Sequence, residues 1–367
     1  MTISKQPAVT GRGQGREDQI QFLRFLAFMN VFICHAERWL FFPYRTSHCA
    51  AAAVSFFFVL SGVTSGLSLT GKTVDPGIRS VSAFLWKKVR KIYPLYFLTT
   101  MFAVIFSGIP ELLMHSDFAG LRPELIQLGK NLLLIQSWFP EGGHSFNTVG
   151  WFLSSLFFLY ALTLPFGWLL KKLSGCRFRY LLLPGLFAGI FCCAVVYCYT
   201  TQHLDMYFWH YQFPPARAFE YLLGMMLGWG TRWAKERIPR GKLWNAVFTV
   251  LEAGALLFWY YSLSRPGNYW RNNIIAWIIP DLLVLAVFLA GQGCLSGLFR
   301  RKGLVYLGDI SFECYLIHQL ILIRFGVNLS GTAVSTAGNV FVFLFGLVYS
   351  LLLAAFIHGR AAGSRRK

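Results

Sequence analysis

The sequence has few charged residues and very few acidic ones. Charged residues are 13% of the 367 residues, with 15 Asp and Glu against 34 Lys and Arg. A water-soluble protein of this length needs a far more polar surface. Alternation long enough for a β-barrel, a CxxC pair with zinc-like spacing and an internal repeat are also lacking. We therefore expect no soluble globular domain, no metal ion and no structural disulfide.

Long apolar runs dominate the sequence, since 56% of its residues are hydrophobic. A helix of about 20 apolar residues crosses the ~30 Å hydrocarbon core of a bilayer. The runs predict an all-α, polytopic integral membrane bundle of about ten transmembrane helices embedded in a lipid bilayer. The predicted spans are 19–38, 49–70, 84–107, 149–170, 180–200, 214–231, 243–262, 273–292, 304–324 and 337–358.

The distribution of basic residues predicts the orientation of these spans. Lys and Arg concentrate in the short cytoplasmic loops of membrane proteins. With the N-terminus inside, all but nine of the 34 Lys and Arg fall in cytoplasmic segments. The nine are Arg24 in the first span and, toward the outside, Arg38, Arg45, Arg122, Lys130, Arg217, Arg265, Arg271 and Arg324. Both termini are thus predicted to be cytoplasmic. The net charge of +19 is accounted for without nucleic-acid binding.

The predicted organisation has three parts. Residues 1–18 form a cytoplasmic tail, which lacks the apolar core of a signal peptide. Residues 19–358 form the ten-helix domain, and residues 359–367 form a basic cytoplasmic tail. The longest loop, about 108–148, is predicted to be external, with an amphipathic helix over 124–138 on the outer membrane face.

Arg24 and His35 in the first predicted span are candidates for a catalytic site. Ionisable groups inside a membrane are costly and are functional candidates for that reason. The two residues are eleven positions apart, so they share a helix face and lie about 16 Å apart along the axis. Arg24 can hold an anionic or carbonyl group, and His35 can accept a proton near neutral pH. The alternative is that His35 only packs in the bundle while Arg24 snorkels to the interface.

Basic residues cluster at the inner end of the third predicted span. The cluster consists of Lys87, Lys88, Arg90 and Lys91, followed by Tyr93-Pro94. Such clusters bind the phosphates of ligands such as coenzyme A. An ordinary positive-inside loop is the alternative interpretation.

Two further groups are candidates for the acceptor path or for lining a pore. Arg217 and Glu220 are three residues apart on one helix face, which predicts an intramembrane ion pair. That pair is either structural or part of the acceptor path. The ninth span carries a polar stripe at i, i+4 and i+7 spacing, formed by Ser311, Tyr315 and His318.

These residues together resemble the membrane acyltransferase family 3. The resemblance covers nearly the whole chain. It is carried by Arg24 with His35, by Val54-Ser-Phe-Phe-Phe-Val-Leu-Ser-Gly62, by Lys87-Lys-Val-Arg90-Lys-Ile-Tyr-Pro94, by Gly150-Trp151-Phe-Leu153, by Arg217-x-x-Glu220-Tyr-x-x-Gly224 and by Ser311-Phe-x-x-Tyr315-Leu-x-His318. Each motif is weak alone, but six in the family's order are specific. The family usually has Arg where Lys87 stands.

The resemblance implies an O-acyltransferase of a bacterial plasma membrane. Its donor would be an acyl-CoA, most often acetyl-CoA, bound from the cytoplasm as a co-substrate, with no tightly bound cofactor. The acceptor would be a hydroxyl of a sugar, polysaccharide or glycolipid. His35 would act as general base and the basic residues would position the donor. Trp151, in a matched motif, joins the candidates for the acceptor side.

A transporter or flippase for a small anion or a lipid-linked glycan is the main alternative. It would also use intramembrane charges and a basic inner entrance. No inverted repeat and no matched pair of broken helices is visible in the sequence, which argues against it. A scaffold or sensor is a further alternative, and such a protein would tolerate loss of both Arg24 and His35.

Overall fold

The computed structural model describes residues 16–37, 49–141, 145–205, 207–264, 273–329 and 336–364. These residues form thirteen α-helices and contain no strand. The helices are α1 Gln19–Glu37, α2 Cys49–Leu69, α3 Ile78–Ile105, α4 Ile109–Met114, α5 Phe118–Leu132, α6 Trp151–Ser174, α7 Arg179–Thr200, α8 Ala218–Arg237, α9 Lys242–Ser264, α10 Asn273–Ala290, α11 Cys294–Phe299, α12 Lys302–Leu329 and α13 Thr336–Ser364.

A helical membrane bundle is the architecture that these elements form. The long helices α1, α2, α3, α6, α7, α8, α9, α10, α12 and α13 each overlap one predicted span. Six of the helices are long and apolar enough to cross a membrane: α1, α2, α6, α7, α9 and α13. The count of ten spans and the cytoplasmic placement of both termini stay predictions. Residues 1–15 and 365–367 of the predicted tails lie outside the described residues.

Several helices extend past the apolar runs that predicted them. Helix α3 begins at Ile78 rather than 84, because the preceding turn is held by Asp75, which accepts from the Gly77 amide and from the Ser80 hydroxyl. Helix α13 continues to Ser364, into the predicted tail. Hydropathy marks only the part of a helix that matches the hydrocarbon core, so polar helical ends are missed.

The predicted external loop contains its own helices. The amphipathic helix is α5, Phe118–Leu132, and the expected range 124–138 was wrong at both ends. The carboxylate of Asp117 accepts from the Gly120 amide at 3.0 Å, which caps the helix start several residues earlier than expected. After α5 the chain passes through a short 3₁₀ turn, Gln136–Trp138, which does not continue the helix.

The centre of the bundle is α2, which packs most extensively on α8. Each helix brings two glycines, four residues apart, to the contact: Gly62 and Gly66 from α2, Gly224 and Gly228 from α8. A methyl group at Gly62 would lie 2.0 Å from the Tyr221 carbonyl oxygen, and one at Gly224 would lie 2.2 Å from the Val59 carbonyl oxygen. Small residues at this spacing let the two backbones touch, which is how helices associate inside a membrane.

Burial separates a central layer from a peripheral one. In the apolar stretch of α2 that is long enough to cross a membrane, 78% of the residues are buried in the bundle. The corresponding share is 11% in α7 and 17% in α9. The exposed faces of the peripheral helices are apolar, as the side chains of Leu181, Val196, Val250 and Leu257 illustrate. Such faces suit contact with lipid chains. The polar residues that concern function lie on α1, α2, α3, α6, α8 and α12.

Candidate active site

A pair of histidines joins α1 and α12. The Nδ1 atom of His35 lies 2.8 Å from the Nε2 atom of His318, and the two rings stack 5.1 Å apart at an angle of 5°. His318 is fully buried and His35 is half-buried. The structure thus brings together two candidate residues that are 283 positions apart in the sequence.

Backbone contacts of His318 fix the direction of this hydrogen bond. The Nδ1 atom of His318 lies 2.8 Å from the Tyr315 carbonyl oxygen and 3.2 Å from that of Cys314. A carbonyl only accepts, so Nδ1 of a neutral His318 carries the proton and Nε2 carries the lone pair. His35 must then donate from its own Nδ1, which assigns the lone pair of a neutral His35 to Nε2.

Aromatic rings enclose His318. Phe28 meets its ring edge-on at 5.6 Å, Phe32 lies at 6.1 Å and Tyr315 at 5.9 Å. The Tyr315 hydroxyl donates to the Val149 carbonyl oxygen at 3.3 Å. Because water is excluded from this side, His318 holds one geometry and His35 is the more accessible member of the pair. Ser311, the first residue of the predicted stripe, donates to the Gly308 carbonyl of its own helix and takes no part in the pair.

The end of the predicted external loop is fastened onto α12 beside the histidines. The Asn147 side-chain amide donates to the Leu316 carbonyl at 3.1 Å, and the Thr148 hydroxyl donates to the Gln319 side chain. Trp151 begins α6 directly after this segment and is buried against the ring of Tyr211, 4.6 Å away. Trp151 therefore supports this side of the site through packing.

Arg217 and Glu220 form the predicted ion pair, and both are fully buried. The Nη2 atom of Arg217 lies 3.1 Å from Oε2 of Glu220, whose Oε1 accepts from the Ser55 hydroxyl at 2.7 Å. The guanidinium also lies over the Phe58 ring at 4.7 Å. These contacts tie α8 to α2. The two charges compensate each other inside the bundle, which favours the structural interpretation over the acceptor path, although Nε of Arg217 has no hydrogen-bond partner among the described residues.

A single-turn π-helix, Tyr207–Gln212, leads into this network. The His210 carbonyl accepts from Arg217 Nη1 at 3.3 Å, and the His210 ring meets the Thr201 hydroxyl at 2.7 Å. Burial lowers the pKa of His210, so the ring stays neutral beside the arginine. No sequence pattern pointed to His210, because π-turns have no clear residue pattern.

The basic cluster of α3 divides into one inward and three outward side chains. Lys88 is half-buried, and its ammonium lies over the ring of Tyr160, 4.2 Å from the ring centre. Arg24 of α1 is close enough to Tyr160 for an electrostatic interaction with it. Arg24, Lys88 and Tyr160 therefore surround one region between the N-terminal end of α1 and the histidines. Lys87, Arg90 and Lys91 are exposed on the outer surface of the helix.

A cavity of about 860 Å³ opens where the N-terminal end of α1 meets the C-terminal ends of α2 and α8. Arg16, Gln21, Lys72, Arg232 and Arg240 are among the residues that line it. The sequence did not point to this cavity, because its walls come from segments that are far apart along the chain. Tyr160 was missed for the same reason.

Together, the lipid-facing periphery and the inward polar groups define a polytopic helical membrane protein with a buried histidine pair. Arg24 and Lys88 form a basic region between this histidine pair and the N-terminal end of α1. Such an arrangement is suited to general acid–base chemistry on a substrate that carries negative charge.

Comparison with known proteins identifies the family. Residues 17–359 match the model of the acyltransferase family 3, described as an acyltransferase domain, so the chain belongs to this family. It is similar to the acyltransferase MdmB of Streptomyces mycarofaciens, with 30% identity over 335 residues, which cover 84% of this chain and 79% of the relative. No solved structure matches the chain. The chain is therefore an enzyme, a membrane O-acyltransferase.

Proposed function

We propose that the protein transfers an acyl group, most simply acetyl, from acyl-CoA to a hydroxyl of a sugar, polysaccharide or glycolipid. The donor enters from the cytoplasmic side of a bacterial plasma membrane, and His35 is the general base. Family membership supports acyl transfer, and the related acyltransferase from Streptomyces supports a bacterial setting.

The hydrogen bond between His35 and His318 carries the proposal. It leaves the His35 lone pair on Nε2, which is the atom that takes the proton of the acceptor hydroxyl. The deprotonated oxygen attacks the thioester carbonyl, and the carbon–sulfur bond breaks. The proton passes from His35 to the leaving thiolate, so the products are the ester and free coenzyme A. Positioned general-base catalysis contributes typically ~10²–10⁴-fold.

His318 is a positioning residue in this mechanism. Its Nε2 accepts a hydrogen bond from the Nδ1–H of His35 and stabilises the imidazolium that forms on His35 during transfer. The aromatic enclosure of His318 keeps that acceptor in place while substrates come and go.

Arg24 and Lys88 fit the role of donor-binding residues. Both lie toward the inner half, with Tyr160 between them, and both bring positive charge into a sparsely solvated region. A cation there attracts the carbonyl or phosphate oxygens of a donor that enters from inside. Lys87, Arg90 and Lys91, which face outward, stay candidates from the sequence for the first encounter with the donor.

The proposal is tested with purified protein in nanodiscs. The assay measures acetyl-CoA binding and the release of free thiol, with and without a panel of sugar acceptors. We expect wild-type protein to bind acetyl-CoA and release thiol slowly, and His35→Ala to bind it without turnover. His115→Ala is the matched control, because His115 is exposed directly after α4, away from the pair. Absence of any acyl-CoA affinity in the wild type would contradict the proposal and would favour the transporter, which moves its substrate without acyl transfer.

A further inference from the structure

The inner cavity has a strong excess of positive charge. Its walls carry five basic side chains, which are Arg16, Lys72, Arg232, Lys235 and Arg240, and two acidic ones, Glu17 and Glu236. The positive-inside rule explains basic residues in separate loops. It does not explain why basic residues from the start of α1, the end of α2 and the end of α8 meet in one cavity.

Ion pairs neutralise only part of this charge. Lys235 lies 2.5 Å from Glu17, and Arg16 pairs with Asp309 at 2.5 Å and with Asp18 at 2.9 Å. The pair of Arg232 with Glu236 is long, at 3.6 Å, and exposed. Among the described residues, no carboxylate lies within 4.0 Å of the Lys72 or Arg240 side chain. Lys72, Arg232 and Arg240 are thus available to an anionic ligand.

We propose that this cavity binds the phosphorylated nucleotide end of the acyl donor, an inference that rests on the proposed function. The volume of about 860 Å³ lies within the range of small-molecule and cofactor sites. Arg232 and Arg240 carry planar guanidinium groups, and each such group can donate two parallel hydrogen bonds to one phosphate. The exposed side of α3 offers charge without an enclosing cavity, so the nucleotide is held here rather than on Lys87 and Arg90.

The distance from this cavity to the histidine pair constrains the donor. Gln21 lines the cavity, and His35 lies fourteen residues further along the same helix, a rise of about 21 Å. A donor with phosphates in the cavity and a reacting carbonyl at His35 needs a long arm between them. An acyl-CoA has such an arm, the pantetheine chain. An acyl phosphate or an acyl nucleotide does not, because its phosphate is bonded to the acyl group.

Binding of adenosine 3′,5′-bisphosphate tests this site without any reaction. It is measured by calorimetry on the protein in nanodiscs of zwitterionic lipid, together with binding of coenzyme A. The double variant Arg232→Gln/Arg240→Gln should weaken both ligands by tenfold or more, since charged hydrogen bonds to phosphate are lost. The control Arg237→Gln removes the same charge from the same end of α8, where the guanidinium lies over the Trp233 ring at 4.2 Å. It should bind both ligands as the wild type does.

A second pair of measurements separates the possible outcomes. Lys87→Gln/Arg90→Gln should keep wild-type affinity for the bisphosphate, and loss of affinity in this variant alone would overturn the inference. Repeating the titrations in phosphatidylglycerol nanodiscs distinguishes a nucleotide from a lipid headgroup. If the variant Arg232→Gln/Arg240→Gln changes the measured affinity only in anionic lipid, the basic side chains bind the lipid headgroup and the inference is wrong. If acetyl-CoA is turned over but cavity variants bind normally, the inference fails while the proposed function stands.

Discussion

The Nδ1 atom of His35 is hydrogen-bonded to the Nε2 atom of His318 at 2.8 Å, and His318 is in turn anchored to the Tyr315 carbonyl. This chain of contacts runs from a buried backbone group to the half-buried imidazole of His35, the proposed general base. It is the same logic by which a buried acceptor orients a catalytic histidine in other enzymes.

His318→Leu removes the acceptor for the Nδ1 proton of His35, whereas His318→Gln keeps an acceptor oxygen of similar reach. We expect His318→Leu to lower kcat by about 10- to 100-fold, the usual cost of losing a histidine's orienting partner. KM for acetyl-CoA should change little, and His318→Gln should recover part of kcat. Steady-state thiol-release kinetics measure both constants. A rise in KM with unchanged kcat in His318→Leu would mean that His318 binds substrate instead.

Lys88 and Lys87 are adjacent in the sequence but face opposite ways. Lys88 points inward to Tyr160, and Lys87 is exposed. A charged hydrogen bond or cation–oxygen contact is worth about 1.5–3 kcal/mol, so Lys88→Gln should lower kcat/KM for acetyl-CoA by roughly tenfold or more. Lys87→Gln is the matched control and should change kcat/KM by less than about threefold. Equal effects at both positions would argue for a diffuse attraction by the whole inner surface.

Glycine contacts between α2 and α8 set the stability of the bundle. A methyl group at Gly228 would lie 2.1 Å from the Val63 carbonyl oxygen, whereas one at Gly230 meets no neighbouring atom within 4 Å. Gly228→Ala should therefore destabilise the protein by about 1–3 kcal/mol or more, because two backbones must separate. Gly230→Ala should be neutral or slightly stabilising. Thermal unfolding in detergent, followed by the fluorescence of the 12 tryptophans, measures the difference.

The Arg217–Glu220 pair predicts a non-additive effect on stability. Replacing one member leaves an uncompensated charge in the bundle, and such changes cost about 3–5 kcal/mol. Arg217→Met and Glu220→Leu should each lower the melting temperature strongly, while the double variant should recover much of the loss. If the double variant loses as much as the sum of the single variants, the two side chains act independently. A double variant that is stable but inactive would restore the acceptor-path interpretation.

The sequence allowed most of the helices to be predicted but little of the site's assembly. Apolar runs mark a membrane helix because length and hydrophobicity decide it locally, and each of the ten runs overlaps one long helix. Helix ends depend on caps such as Asp117, which the hydropathy pattern does not weigh. The approach of α2 to α8 rests on glycines whose importance is visible only across the interface.

Spacing along one helix identified Arg24 with His35 and the stripe that contains His318. It could not show that these two helices meet, because a contact between residues 283 positions apart is decided by tertiary packing. Likewise, the motif on α3 does not show that Lys88 turns inward while its neighbours turn outward. The cavity has no motif of its own, since its lining residues come from the ends of three helices that are far apart in the sequence.

The most direct measurement is acyl transfer from acetyl-CoA by His35→Ala, His35→Gln and the wild type, each in nanodiscs with equal donor binding verified by calorimetry. The account predicts normal acetyl-CoA affinity and a loss of ~10²-fold or more in thiol release for both variants. Thiol release near the wild-type rate in His35→Ala would contradict it, because His35 would then only pack in the bundle.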